Sequence, residues 1–299
     1  MMNRLARLSS FSRHLPFPIG VVLIVVALWA SYPISTLTPK KYVFDCISPL
    51  LWPGLSLSMG GLFMIAESSR NKRTAFVCSV ALPFLVYAHY FFFSLLPGSD
   101  SHYFRGLTKL SLTVGVDPAN KDYFQWPSFF VLNDILISIL GLNVNAVSIL
   151  LFLTIGFLLS SNLFVLFSRE HKHFGFLGTA MYLMGLFWFL NYQFAPQSLA
   201  LGLFLALVNL APETRLNCRI ISLIMFVALV SVHSFICVLF LIFYCALALR
   251  DRDRVNAFLF FFAIYLSYLT YIAVSNLHYV VATLTRVYLA CLLYTSDAA

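Results

Sequence analysis

The chain has 299 residues, 61% of them hydrophobic and only 10% charged, with a mean hydropathy of +0.89. Such a composition does not fit a water-exposed surface, so a soluble globule is excluded and an all-α, polytopic transmembrane bundle is predicted. The net charge of +8 lies in short basic clusters between apolar runs, a pattern that orients helices in a bilayer and leaves no face for nucleic acid. The first predicted span, Phe17 to Ile34, follows a tail carrying Arg4, Arg7 and Arg13. It reads as an uncleaved anchor, because no small-residue cleavage site follows it. Spans from Ile47 to Ala66 and from Ala75 to Leu96 flank Arg70, Lys72 and Arg73, a cluster expected in the cytoplasm.

The longest polar stretch comes next, PGSDSHYFRGLTKLSLTVGVDPANKDYFQW, about 30 residues where ordinary connections run to about 5. It is expected to be an external loop. Pro127 to Leu142 is apolar apart from Asn133 and Asp134 but short for a perpendicular crossing, so it is predicted as a juxtamembrane or re-entrant helix within an external segment 97–143. Val144 to Phe167 is a full span leading to Arg169 and Lys172. Two tight pairs follow: Phe174 to Leu190 with Pro196 to Ala211, joined by NYQFAPQ, and Ile220 to Val232 with Phe235 to Leu249, meeting at His233 and Ser234. A single tilted span through His233 would set Arg250, Arg252 and Arg254 opposite Arg215 and Arg219, so a hairpin is preferred. A last span runs from Asn256 to Val274, which gives about 9–10 membrane helices.

Cys291 to Ala299 reads CLLYTSDAA, which resembles the translation of a sequencing adapter. Residues 291–299 are therefore set aside, and residues 1–290 are expected to be an integral membrane domain cut short at its C-terminus. The other cysteines, Cys46, Cys78, Cys218, Cys237 and Cys245, show no CxxC or ligand spacing and are expected to pack as small residues. Most of the 19 Lys and Arg fall in the segments predicted as cytoplasmic, which places the N-terminus inside and the long loop, the NYQFAPQ turn and the His233 turn outside.

Chemistry is expected on that outer face. Asp100 lies just beyond a span end, where partial desolvation would raise its proton affinity and suit a general base; the alternative is a solvated turn residue. His102 is two residues on, so the pair is a candidate for a shared divalent cation, against an ordinary exposed histidine. Arg105, Lys109 and Lys121 are candidates to neutralise a phosphate leaving group, or simply to meet lipid headgroups. Asp134, an acid in an apolar helix, calls for a partner or a wet cavity; its plainer reading is the polar side of an interfacial helix. His233 either serves the site or caps its hairpin, and Gln193 and Gln197 either bind sugar hydroxyls or satisfy backbone freed by Pro196. No Gly-rich phosphate loop, Ser-His-Asp order, HExxH or zinc spacing is present, so hydrolase and nucleotide-hydrolysing readings lack support.

The order of a span ending in GSDSHYF, a long loop, FQWPSFFVLNDILISILGLNVNAVSILL and a span ending in FSR resembles the GT-C superfamily of membrane glycosyltransferases. NYQFAPQSLALGLFLALVNL and VSVHSFICVLFLI are similar to segments of prokaryotic membrane proteins grouped with it; the likeness covers roughly Ala75 to Val274. The resemblance implies transfer of a sugar from a polyprenyl-phosphate carrier to a glycan, lipid or protein acceptor at the external face of a prokaryotic inner membrane. Asp100 would be the base, with the basic loop residues near the carrier phosphate. A divalent cation is the one cofactor left open. This chain has no paired-acid motif at Asp100, which is a departure from that pattern. A polysaccharide polymerase or ligase, relying on external Arg and His, and a lipid-linked-saccharide flippase are the alternatives.

Overall fold

The computed structural model describes residues 15–31, 48–68, 71–87, 99–116, 127–169, 172–185, 194–213, 215–275, 281 and 285. Among these residues the regular elements are helices, and no strand is present. In chain order they are α1 (Pro16–Ala30), α2 (Leu51–Ser68), α3 (Lys72–Val86), α4 (Ser99–Val114), α5 (Pro127–Leu140) and α6 (Val144–Phe167). They continue with α7 (Lys172–Gly185), α8 (Pro196–Leu210), α9 (Leu216–Val232), α10 (Ser234–Arg250) and α11 (Val255–Ser275). Two compact units divide the chain: Met1–Arg105 with Asn145–Ser198, and Gly106–Val144 with Leu199–Ala299.

In the first unit α1 and α2 cross at unusually close range. A Cβ built on Gly20 would collide with the Ser58 backbone, one on Gly61 with the Phe17 backbone, and one on Gly54 would lie 2.9 Å from the Ile24 nitrogen. Small residues at 54, 58 and 61 form one stripe of α2, and such stripes let helix backbones approach where no hydrophobic drive exists between them. Asn71 starts α3 by accepting from the Arg73 nitrogen at 2.9 Å, as an N-cap should. Beside it, Lys72 donates to the Ser168 carbonyl at 3.4 Å, bringing a cation to the negative C-terminal end of α6. Leu62, Ala66, Cys78, Leu82, Phe164 and Phe176 fill the space between α2, α3, α6 and α7.

The second unit is organised by the α9–α10 hairpin. His233, extended at φ −165° and ψ 105°, interrupts the helix, and Phe226 meets Phe240 with ring centroids 5.4 Å apart, so the chain folds back here as the charge argument predicts. Phe261 of α11 closes on both rings at 4.8 and 5.5 Å and on Tyr244 at 5.2 Å. Ser128 donates to Ser231 at 2.6 Å, which fixes the start of α5 beside the end of α9.

Among the described residues two helices are long and apolar enough to cross a membrane: α6, and the stretch Arg252–Ile272 that contains most of α11. They differ in packing. In α6, 44% of the apolar window is buried, against 6% in the second, which leaves Leu259, Phe260, Phe262 and Leu266 bare. A helix apolar all round and uncovered is not stable in water, so this surface requires lipid or another apolar covering. The remaining apolar helices are shorter, and the predicted spans end early where 88–98 and 186–193 lie outside the described residues.

Candidate functional site

The stretch expected to be an external loop is not all loop: its first half is α4. Ser101, Phe104, Thr108 and Ser111 are buried in a stripe at spacings of three and four, while His102, Tyr103 and Lys109 are exposed. An amphipathic helix results, closed by Gly115 at φ 79°, whose nitrogen donates to the Ser111 carbonyl at 2.8 Å. Gly141 at φ 64° ends α5 in the same way.

Asp100 occupies the first turn of α4, where the helix dipole favours an anion. At 3.6 residues per turn, position 100 falls in register with Phe104, Leu107 and Ser111, on the side of the buried stripe. Position 102 is two residues on, about 200° further around the helix axis. The His102 ring is engaged elsewhere: Arg105 Nη2 lies 3.0 Å from its Nδ1. Guanidinium only donates, so the contact requires the neutral Nε2–H tautomer. Among the described residues no group of three or more His, Cys, Asp and Glu side chains is placed to hold a metal ion.

Beside Asp100, Ser101 is fully buried and its Oγ accepts from the Phe194 nitrogen at 2.9 Å. This bond joins the start of α4 to the turn preceding Pro196, one helix position from the half-buried Gln197. Two segments expected on the same outer face, 93 residues apart in sequence, are thus tied together.

Asp134, in the second unit, has the partner its position calls for. Ser111 Oγ lies 2.9 Å from Asp134 Oδ1 and 2.9 Å from the Thr108 carbonyl. One hydroxyl proton does not serve two acceptors fully. If Asp134 carries a proton, it donates to Ser111, which donates on to Thr108, and every group is satisfied. Burial pushes the Asp134 carboxyl above its ordinary value of 3.8, against a smaller downward pull from the Ser111 hydrogen bond. Asp134 also borders a shallow groove with Val116, Val131, Ile135, Ser138 and Ile139. Next to it on α5, Asn133 is fully buried, donates to the Phe129 carbonyl at 2.7 Å and has an Oδ1 without a hydrogen-bond partner.

His233 sits at the hairpin turn, and burial holds its imidazole below the ordinary 6.5, with a backbone hydrogen bond opposing. Its backbone nitrogen closes α9 by donating to the Leu229 carbonyl at 2.9 Å, while at the start of α10 it makes no side-chain cap hydrogen bond. The Ser128–Ser231 bond puts this turn beside the start of α5, whereas Asp134 lies six residues and about 9 Å further along that helix. Lys121 and Gln193 lie outside the described residues. Ser101 and Ser111 are the members that sequence reasoning missed; only a buried serine at helical spacing from Phe104 and Leu107 would have marked them.

No protein-family model, curated protein or solved structure matches the chain. What it does is therefore argued from its own residues.

Proposed function

We propose that the chain is a polytopic inner-membrane glycosyltransferase of GT-C type, moving a sugar from a polyprenyl-phosphate carrier to an acceptor at the external face. The observation that carries this reading is the placement of Asp100 in the first turn of an amphipathic helix, in register with its buried stripe. The helix dipole favours a carboxylate in this turn, and as a base there it would take the proton of an acceptor hydroxyl. The bare apolar surface of α11 and the small-residue crossing of α1 on α2 support the membrane setting. At 24 residues α6 reaches about 36 Å, enough for a hydrocarbon core of about 30 Å. The helices α8 to α10, at 15 to 17 residues, reach about 22–26 Å and require local thinning or flanking polar residues at the interface.

In the proposed reaction Asp100 takes the acceptor hydroxyl proton as that oxygen bonds to the anomeric carbon. The bond from that carbon to the carrier phosphate breaks, and polyprenyl phosphate leaves with the electron pair. Arg105 and Lys121 are the groups assigned to its charge, and Gln197, Asp134 and His233 to sugar and acceptor hydroxyls. Replacing Asp100 by Asn should lower transfer about 10²–10⁴-fold while membrane insertion and carrier binding persist. Undiminished transfer by that variant removes the assignment.

The polymerase or ligase reading draws on one specific feature, the exposed Arg105–His102 pair at 3.0 Å. It would be favoured if Arg105→Gln abolished transfer and Asp100→Asn did not.

A further inference from the structure

A cavity of the second unit lies far along the chain from Asp100, between the end of α8, the start of α9, α10 and the start of α11, with a volume of about 620 Å³. Its floor is aromatic and aliphatic, from Leu223, Phe240, Phe260 and Phe261, and its rim carries charges of both signs. Arg254 is already committed: it pairs with Asp251 at 2.8 Å and donates to the Ala211 and Pro212 carbonyls, holding the C-terminal end of α8. Arg219, Glu213 and Asp253 stand exposed at the rim of the cavity, and among the described residues their side chains make no hydrogen bond or ion pair. A guanidinium and two carboxylates left unpaired around an apolar floor match a ligand with an anion, an ammonium and an apolar body. Two wall residues, Ile220 and Phe260, are 47% and 56% exposed, so the wall opens onto the uncovered apolar sides of α9 and α11. A tail can enter from there, which favours a lipid over a free zwitterion such as an amino acid.

We propose that this cavity binds one aminophospholipid, its phosphate on Arg219, its ammonium between Glu213 and Asp253, and an acyl tail across Phe240, Phe260 and Phe261. The proposal rests on the membrane setting and not on sugar transfer. On the orientation predicted from the basic clusters, the rim, with Arg219 and Arg254, belongs to the cytoplasmic leaflet. The volume falls within the roughly 300–1,000 Å³ of small-molecule sites.

The test uses the purified full chain in non-ionic detergent, titrated with lysophosphatidylethanolamine, its N-acetyl derivative and lysophosphatidylglycerol, with bound lipid counted by native mass spectrometry. Lysophosphatidylethanolamine should bind one to one and about tenfold more tightly than either probe lacking the ammonium. Arg219→Gln and Asp253→Asn should each erase that preference, and Ala257→Phe, which projects into the cavity from α11, should weaken all three lipids. Equal affinities for the three lipids on the unaltered chain, a measurement that depends on no variant folding, would overturn the proposal, as would a preference that survives both charge substitutions. A chain that purified as a monomer without detergent would instead refute the membrane setting, a failure distinct from either.

Discussion

Removing the Ser111 hydroxyl is the sharpest probe of the second unit. Ser111→Ala leaves the Asp134 carboxyl without its 2.9 Å partner, at a position where Ser111 itself is only 3% exposed. A hydrogen bond to a half-buried group of this kind contributes about 0.5–1.5 kcal/mol, and leaving its partner unsatisfied costs about 1–3 kcal/mol at most. Asp134→Asn should cost far less, because the amide keeps the contact and needs no charge. In a double-mutant cycle the two substitutions should couple by about 1–2 kcal/mol. The pH dependence follows from the direction of the shift. Burial raises the Asp134 pKa above 3.8 in the folded chain, so the stability it contributes is complete below that value and is lost as pH rises through the higher folded value. Asp134→Asn should flatten that decline. The assay is unfolding of the full chain in mixed micelles by titration with dodecyl sulfate, at a series of pH values. A cost below about 0.5 kcal/mol for Ser111→Ala, or the same cost with and without Asp134, would refute the network.

Two neighbouring glycines should behave in opposite ways. Gly61→Leu drives a side chain into the Phe17 backbone and should cost about 1–3 kcal/mol or separate α1 from α2, whereas Gly60→Ala meets nothing within 4 Å and should stabilise α2 by up to about 1 kcal/mol. Unfolding midpoints of the two variants check this. Phe240→Ala removes ring contacts at 5.4, 5.5 and 5.6 Å to Phe226, Phe261 and Tyr244 and should cost about 2–4 kcal/mol, read in the same titration, with a cost under about 1 kcal/mol contradicting the aromatic cluster.

Most helices were legible because apolar runs and basic clusters punctuate them. Val144 to Phe167 is a helix over that full range, and the turn at His233 follows from keeping Arg215 and Arg219 on the side of Arg250 to Arg254. The helix α4 was not legible. Three of its buried positions, Ser101, Thr108 and Ser111, are polar, which masks the apolar stripe that would have marked a helix. The same masking hid the partner of Asp134, 23 residues away and silent until two helices meet. The cavity beside Arg219 escaped for a different reason: its wall is assembled from separate stretches between Leu207 and Phe261, and its charges read in sequence only as markers of orientation.

The account depends on polar groups from distant segments opening to one side of a membrane. Labelling of single cysteines in an otherwise cysteine-free chain tests that most directly. With a membrane-impermeant maleimide on intact cells, a cysteine replacing the exposed His102 should react at once, and one replacing the exposed Arg252 should react only after permeabilisation. Reaction of both from the same side, or of position 252 alone, would contradict it.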